Sequence, residues 1–225
     1  MKIRKAKSPL MLWKQLGYAM FKPGMNTVRY DIQAACNWEH FYLSFPDAGY
    51  KREGTKYKRL TKTYLNPKEV DKFNRKRMEV IKKKKDFVLL FRFGNEEKNT
   101  SKAGDFCLVA STFIFVKGKL KKVHVYYRTT EVVTKFLADL IFLEDIFSGV
   151  LFLDMDGVEV KFFFTKVYVK YFHLLNFSRI CKKLFNEDVT IKIKWGAALI
   201  KKVKEGFLPK YKAGERIAIR FKEDL

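Results

Sequence analysis

Several side chains in the middle of the chain have the types and spacing that could act on a phosphorylated ligand. Cys107 could supply a thiolate nucleophile, although a lone cysteine is more often an inert core residue. Arg128 and Thr129, followed by Thr130 and Glu131 before a predicted helix, could hold a phosphate through a guanidinium, hydroxyls and the N–H groups of a helix N-terminus. The Thr-Thr-Glu stretch also suits ordinary helix capping, so both interpretations stay open.

Asp139 is anomalous because it lies within the apolar face of the helix predicted over 131–147. At 100° per residue it lies nearer the edge of that face than its centre. A buried carboxylate must find a partner or shift its pKa, since burying it unpaired is costly. Asp139 therefore either pairs with a cation such as Lys135 or faces a ligand pocket.

The elements that position these residues are predicted from hydrophobic periodicity and turn signals. Two β-rich runs around a Gly-containing turn predict a hairpin over 106–128. The apolar stretch 150–164, with its turn at Asp154–Gly157, predicts a second hairpin. Residues 87–93 read as a strand, and Asn66-Pro67-Lys68-Glu69 begins a helix. Hairpins with interleaved helices favour an α+β fold with a mainly antiparallel sheet and packed helices. Without repeats or linkers, 1–225 is interpreted as a single domain.

The stretch 104–142 resembles the catalytic stretch of thymidylate synthases and the related deoxycytidylate hydroxymethylases. Its sequence is GDFCLVASTFIFVKGKLKKVHVYYRTTEVVTKFLADLIF. The matching positions are Cys107, the Gly118-Lys119-Leu120 turn, Arg128-Thr129-Thr130-Glu131, Asp139 and, by its separation from Arg128, Tyr171. The resemblance covers about 87–175 and is to divergent phage-type members. The chain departs from the family at Phe106 and Leu108, which replace Pro and His around the cysteine, and at Val169, which replaces a His.

This resemblance implies a thymidylate-synthase-like fold and a role in nucleotide biosynthesis. Cys107 would attack C6 of a deoxypyrimidine monophosphate, and 5,10-methylenetetrahydrofolate would supply a one-carbon unit to C5. Arg128 and Thr129 would hold the 5′-phosphate, Tyr171 the sugar, and Asp139 the base edge. A carboxylate accepts from the 4-amino group of cytosine, which favours dCMP over dUMP. The family resemblance also implies a homodimer.

The formal net charge of +23 favours a different, non-catalytic function, the binding of RNA or DNA on the same fold. The region 51–85 contains fifteen Lys and Arg against four acidic residues, so the charge is clustered. Tyr57, Tyr64 and Phe73 lie among these cations, a mixture that suits phosphate contacts and base stacking. The candidate binding residues are Lys51, Arg52, Lys56, Lys58, Arg59, Arg75, Lys76, Arg77, Lys82, Lys83, Lys84 and Lys85.

Composition also bears on cellular context. Three scattered cysteines without a CxxC argue against a zinc site or a disulfide framework, and no metal is expected. No run approaches the roughly 18 apolar residues of a transmembrane helix, and the basic N-terminus is too broken for a signal peptide. We expect a cytoplasmic protein, in the host cytoplasm if it is phage-encoded.

Overall fold

A computed structural model of the chain describes residues 5–21, 28–48, 53–94, 107–170 and 173–189, together with 201 and 205. The helices are α1 (Pro9–Met20), α2 (Glu53–Tyr64), α3 (Pro67–Lys82), α4 (Leu137–Asp145) and α5 (His173–Phe185). The π-helical segments Val132–Phe136 and Ile146–Val150 precede and follow α4. The strands are β1 (Val28–Asn37), β2 (Phe87–Arg92), β3 (Leu108–Val116), β4 (Lys119–Glu131) and β5 (Glu159–Tyr168).

The five strands form one sheet in the order β1-β5-β4-β3-β2. β2, β3 and β4 are joined as an antiparallel meander, and β1 pairs antiparallel with β5. Only the pairing of β4 with β5 is parallel among these strands. The predicted α+β class is therefore confirmed, and so is the hairpin predicted over 106–128, as far as the structure describes it from residue 107.

One face of the sheet, the inner face, carries the core. Side chains alternate along each strand, so every second residue faces the helices. The Phe73 ring on α3 lies 4.9 Å from the Phe113 ring on β3. Phe136 lies 5.4 Å from Phe162 and 5.2 Å from Phe164 on β5. Such aromatic pairs bury large apolar areas and fix the helices on this side of the sheet.

α1 and α5 extend the same helical layer. The Trp13 indole N–H donates to the Val132 carbonyl over 2.9 Å, which ties α1 to the helical segment before α4. Phe177 of α5 packs 5.1 Å from the Trp13 ring. A Cβ added at Gly17 would lie 2.3 Å from the Phe177 ring, so only glycine permits this close approach of the two helices.

The prediction of a second hairpin over 150–164 is wrong. The first half of this stretch is an irregular turn that follows the π-helical segment Ile146–Val150, and the N–H groups of Leu151 and Leu153 donate to the carbonyls of Ile146 and Phe147, both over 2.8 Å. Leu151, Leu153 and Met155 are buried without joining a strand ladder. The second half forms β5, whose neighbours are distant in sequence.

The opposite face of the sheet, the outer face, consists of the alternating residues that point away from the helices. Its members show intermediate or high exposure. They are Asp31, Gln33, Ala35 and Asn37 on β1, Glu159, Lys161, Phe163 and Thr165 on β5, Lys122, His124, Tyr126 and Arg128 on β4, Ala110, Thr112 and Ile114 on β3, and Val88, Leu90 and Arg92 on β2.

Candidate nucleic-acid interface

Cys107 and Asp139 both lie near Tyr64 and Tyr127 on the inner face. The backbone N–H of Cys107 donates to the Tyr64 hydroxyl over 3.3 Å, and Asp139 is 4% exposed. Burial, followed by the charges of Asp139 and Cys107, raises the pKa of Tyr64. Burial, Asp139, Tyr64 and Cys107 likewise raise the pKa of Tyr127, whose buried hydroxyl has no hydrogen-bond partner within the described part of the chain. We call Tyr64, Cys107, Tyr127 and Asp139 the inner cluster.

The Arg128 side chain lies on the outer face, away from the inner cluster. Its backbone N–H donates to the Cys107 carbonyl over 2.9 Å, so the two backbones are neighbours. Tyr127 is buried toward the helices and Arg128 is exposed, because successive side chains of a strand point to opposite faces. The structure therefore does not place the Arg128 guanidinium with Cys107 and Asp139.

The predicted phosphate site at the start of the helix is filled by the protein itself. β4 continues through Glu131 rather than ending at Arg128. The Glu131 carboxylate accepts from the N–H groups of Val133, Thr134 and Lys135 over 2.9, 2.8 and 3.3 Å. These are the donors that a phosphate would use. The capping interpretation of Thr-Thr-Glu therefore describes this segment, and the phosphate interpretation is corrected.

The remaining predicted ligand residues add little to an inner site. Thr129 is half-buried and opposes Lys166 of β5, and Tyr171 lies outside the described residues. No three His, Cys, Asp or Glu side chains in the described ranges gather closely enough to bind a metal ion.

The basic region forms helices α2 and α3, with Asn66 capping α3 by accepting from the Lys68 N–H over 3.0 Å. Arg77 is half-buried and donates to the Phe152 carbonyl over 2.6 Å, which gives it a structural contact. Lys51, Arg52 and the Lys56 side chain lie outside the described residues. The other candidate cations are exposed, namely Lys58, Arg59, Arg75, Lys76, Lys82, Lys83, Lys84 and Lys85.

The aromatic residues among these cations do not face solvent, which corrects the predicted stacking role. Tyr64 and Phe73 are each 4% exposed, and the half-buried Tyr57 packs 6.1 Å from Phe142. They form the apolar stripe of amphipathic helices, so their rings serve the core while the cations face water. α2 and α3 can therefore contact phosphates but offer no stacking surface from these three rings.

A stacking surface that the sequence analysis missed lies on the outer face. The rings of Tyr126 and Phe163 are neighbours on the parallel strands β4 and β5, with centroids 5.2 Å apart and planes 16° from parallel. His124 meets Phe163 edge-on at 5.4 Å. All three side chains are only partly buried. The signal was present in the sequence, because Val123, Val125 and Tyr127 alternate with His124, Tyr126 and Arg128.

Positive charge surrounds this stack. Glu159 is approached by Lys5, Lys161 and Lys122 at 2.7, 3.5 and 3.8 Å, so three cations surround one carboxylate. Burial, followed by the charges of Lys161 and Lys122, lowers the pKa of His124. The two lysines therefore make the electrostatic field around the imidazole positive.

The same field continues toward the basic helix. The Gly118 N–H in the β3–β4 turn donates to the Lys85 carbonyl over 3.0 Å, and the Lys117 N–H donates to Asp86 over 2.6 Å. Gly118 has a φ of 77°, and a Cβ there would lie 3.1 Å from the Lys84 Cα, so glycine is needed for this contact. The lysines at 82–85 thus lie beside the hairpin whose second strand carries Lys122.

A groove of about 440 Å³ runs beside the stacked rings. Its outer-face lining consists of Asp31 and Gln33 from β1, Tyr126 and Arg128 from β4, and Phe163 and Thr165 from β5. Val109 of β3 also lines it. The groove therefore offers two ring faces, a guanidinium, a carboxylate, an amide and a hydroxyl within one concave surface.

A larger cleft of about 1150 Å³ lies elsewhere, between the segment after β1 and the end of α4. Its Glu144 carboxylate accepts from the Trp38 indole N–H over 2.8 Å and lies 2.5 Å from His40 Nδ1. The hydrogen bond with Glu144 is the largest cause of the raised pKa of His40. With Glu144 and Asp145 in its lining, this cleft is poorly suited to phosphates.

The sequence matches no protein-family model and no curated protein. None of the helices in the described ranges is long and apolar enough to cross a bilayer.

Proposed function

We propose that this protein binds single-stranded nucleic acid on its outer face. The observation that carries the proposal is the partly exposed Tyr126–Phe163 stack, which lies on a sheet face surrounded by Lys122, Lys161 and Arg128. Bases stack on aromatic rings whatever their sequence, and sheets that present such rings are a common platform for single strands.

Charge supports the same partner. The net charge of +23 makes a polyanion the complementary ligand, and the lysines at 82–85 extend the cationic surface along the sheet edge. Phosphates along a strand can contact this edge while successive bases reach the rings. Because stacking needs unpaired bases, a duplex should bind more weakly than a single strand of the same length.

Salt titration tests the proposal with a labelled ten-nucleotide RNA or DNA in a fluorescence-anisotropy assay. For about four phosphate contacts, affinity should fall roughly 50-fold between 50 and 200 mM salt. Replacing Lys122 and Lys161 with glutamine should weaken binding and flatten this dependence. Lys135→Gln is the matched control, because Lys135 is an exposed cation on the helical side of the sheet.

Two results would count against the proposal. One is an affinity that does not change with salt. The other is a concentration-dependent doubling of mass that the Lys122 and Lys161 substitutions abolish while the oligonucleotide has no effect, because the outer face would then pair with a second copy of the chain.

A second candidate function is transfer of a one-carbon unit to C5 of a deoxypyrimidine monophosphate, and the inner cluster favours it. Asp139 and Cys107 both contribute to the raised pKa values of Tyr64 and Tyr127, so a thiol and a carboxylate share the surroundings of these two tyrosines. The donor would be 5,10-methylenetetrahydrofolate. We rank this candidate second because Arg128 and the start of the helix, the expected phosphate ligands, are placed for other contacts.

Tritium release from C5-labelled dCMP and dUMP tests the second candidate. If it is correct, we expect release from dCMP to exceed that from dUMP and to disappear in Cys107→Ala, because exchange at C5 follows thiolate attack at C6. Cys36→Ala is the control, since burial raises the pKa of that thiol to about 12. No release from either nucleotide leaves nucleic-acid binding as the only proposed function.

A further inference from the structure

β2 is an edge strand with exposed apolar side chains. In the part of the chain that the structure describes, it pairs with β3 alone. Phe87, Val88 and Leu90 are 40%, 58% and 49% exposed, although large apolar side chains are usually buried. The strand contains no proline and a single charged residue, Arg92, in the sequence FVLLFR. Edge strands are usually protected from further pairing by charges, prolines or bulges, so β2 is unusually open.

The opposite edge of the sheet, β1, has such protection. Ala6 forms a parallel bridge with Cys36, and its N–H donates to the Ala35 carbonyl over 2.9 Å, so part of the β1 edge is already paired. The register of β1 with β5 is interrupted at Asp31, whose φ of 51° departs from extended geometry. None of the six residues of β2 has a positive φ. β2 is therefore the edge at which a further strand can be added.

The backbone groups on the open side of β2 belong to residues whose side chains lie on the outer face. The Phe93 N–H donates to the Val109 carbonyl of β3 over 2.9 Å. Backbone groups alternate between the two sides of a strand, so those of Phe91 also face β3. The N–H and C=O groups of Val88 and Leu90 therefore point away from the sheet. A further antiparallel strand can bond to these groups and cover both side chains.

We propose that β2 pairs antiparallel with β2 of a second copy of the chain and joins the two sheets into one. A two-fold axis normal to the sheet at Leu89 places both outer faces on the same side. Val88 of each copy then opposes Leu90 of the other copy. Arg92 of each copy opposes Asp86 of the other, a residue that directly precedes β2. The edge is therefore complementary to itself in both apolar contact and charge.

This register is favoured over the neighbouring ones. Apolar pairs and pairs of opposite charge across two strands stabilise a sheet. A shift by two residues in one direction sets Asp86 against Leu90, and in the other direction it sets Arg92 against Val88. Both shifts oppose a charge to an apolar side chain. Asp86 accepts from the Lys117 N–H over 2.6 Å through Oδ1, and its carboxylate has further lone pairs for a guanidinium.

Salt distinguishes this contact from nucleic-acid binding. Each chain has a formal net charge of +23, so two copies repel each other, and screening by salt reduces that repulsion. The dimer should therefore become tighter as salt rises, whereas the binding of an oligonucleotide should become weaker. Glutamine substitution of Lys122 and Lys161, which lie on β4 and β5, should not abolish the dimer.

Analytical ultracentrifugation of the full chain, freed of nucleic acid, tests the proposal. Two paired strands make a small interface, so we expect mostly monomer at about 1 µM and mostly dimer at roughly 200 µM in about 0.5 M salt. Leu90→Lys should weaken the dimer at least roughly tenfold, because it opposes a cation to an apolar side chain. Met78→Lys is the matched control, since it adds the same charge to a 59% exposed residue of α3.

Mixing two variants tests the register itself. Val88→Lys and Leu90→Glu should each be monomeric when alone, because each sets two charges against apolar side chains. In a mixture, one pair becomes Lys against Glu and the other pair remains Leu against Val, so a mixed dimer should form. Both substituted side chains are about half exposed in the monomer, and circular dichroism checks that each variant folds.

Three outcomes would overturn the proposal. A chain that stays monomeric at roughly 200 µM and high salt forms no such dimer. A dimer that Leu90→Lys leaves unchanged has its interface elsewhere. If the Val88→Lys and Leu90→Glu variants do not pair when mixed, Val88 and Leu90 do not oppose each other and the register is wrong.

Discussion

Replacing Tyr126 and Phe163 together with alanine should weaken binding of a ten-nucleotide single strand at least roughly 30-fold. Each stacked base contributes about 1–3 kcal/mol as judged by alanine substitution, and the double variant removes both stacking rings. The two rings lie on the outer face rather than in the core, so the fold should survive their loss. Anisotropy measures the affinity, and circular dichroism with a urea titration checks the fold.

Two controls show whether stacking causes the effect. Tyr126→Phe keeps the ring and should bind nearly as well as the unmodified protein. Tyr42→Ala removes a fully exposed tyrosine that lines the separate, larger cleft, and it should leave affinity unchanged. If the double variant folds and binds the strand as tightly as the unmodified protein, the binding interface does not lie on the outer face.

Glu131→Gln should destabilise the protein by roughly 3 kcal/mol or more at pH 7, measured by urea unfolding. The carboxylate is 1% exposed, accepts three backbone N–H groups and lies 3.0 Å from His173 Nδ1. The substitution removes a buried carboxylate acceptor and sets an amide NH₂ against backbone donors, and both changes are costly. Glu79→Gln on the solvated side of α3 is the control and should leave the unfolding midpoint in place.

The effect of Glu131 should depend on pH in a defined direction. Burial alone raises the pKa of Glu131, but the hydrogen bond and charge of His173 and the bonds from Thr134 outweigh burial and lower it. A pKa that is lower in the folded protein stabilises it fully above the unfolded value of about 4.3. The difference between Glu131→Gln and the unmodified protein should therefore shrink below that pH. A difference that stays constant down to pH 3 would contradict this ionic role.

Local patterns predicted much of the fold. The hairpin over 106–128, the cap at Asn66 and the mixed class follow from alternation, capping and turn signals, which act over a few residues. The prediction of a second hairpin was wrong because an apolar run such as 150–155 can form a buried turn as well as a strand. The parallel pairing of β4 with β5 depends on distant segments, so periodicity could not reveal it.

The candidate site was predicted less well, for a reason visible in two places. Arg128 directly follows the buried Tyr127 in β4. Strand alternation alone therefore predicts that the Arg128 side chain lies on the sheet face opposite to Tyr127. Tyr64 and Phe73 were grouped with their basic neighbours by proximity in sequence, although helical spacing turns them toward the core. In both cases the residue type indicated which chemical groups the side chain could contact. The face to which the side chain points decided which groups it does contact.

The position of β1 at the edge of the sheet has a consequence for synthesis on the ribosome. Its partner is β5, which is synthesised much later. Asn37 therefore cannot pair until the ribosome has added Glu159. At about 5–20 residues per second, the wait is on the order of ten seconds. In this interval the apolar side chains of Ile32 and Ala34 are not yet buried in the core. The unpaired β1 can then pair with strands of other nascent chains. Slower initiation, cooler growth or added chaperone should therefore raise the yield of correctly folded protein.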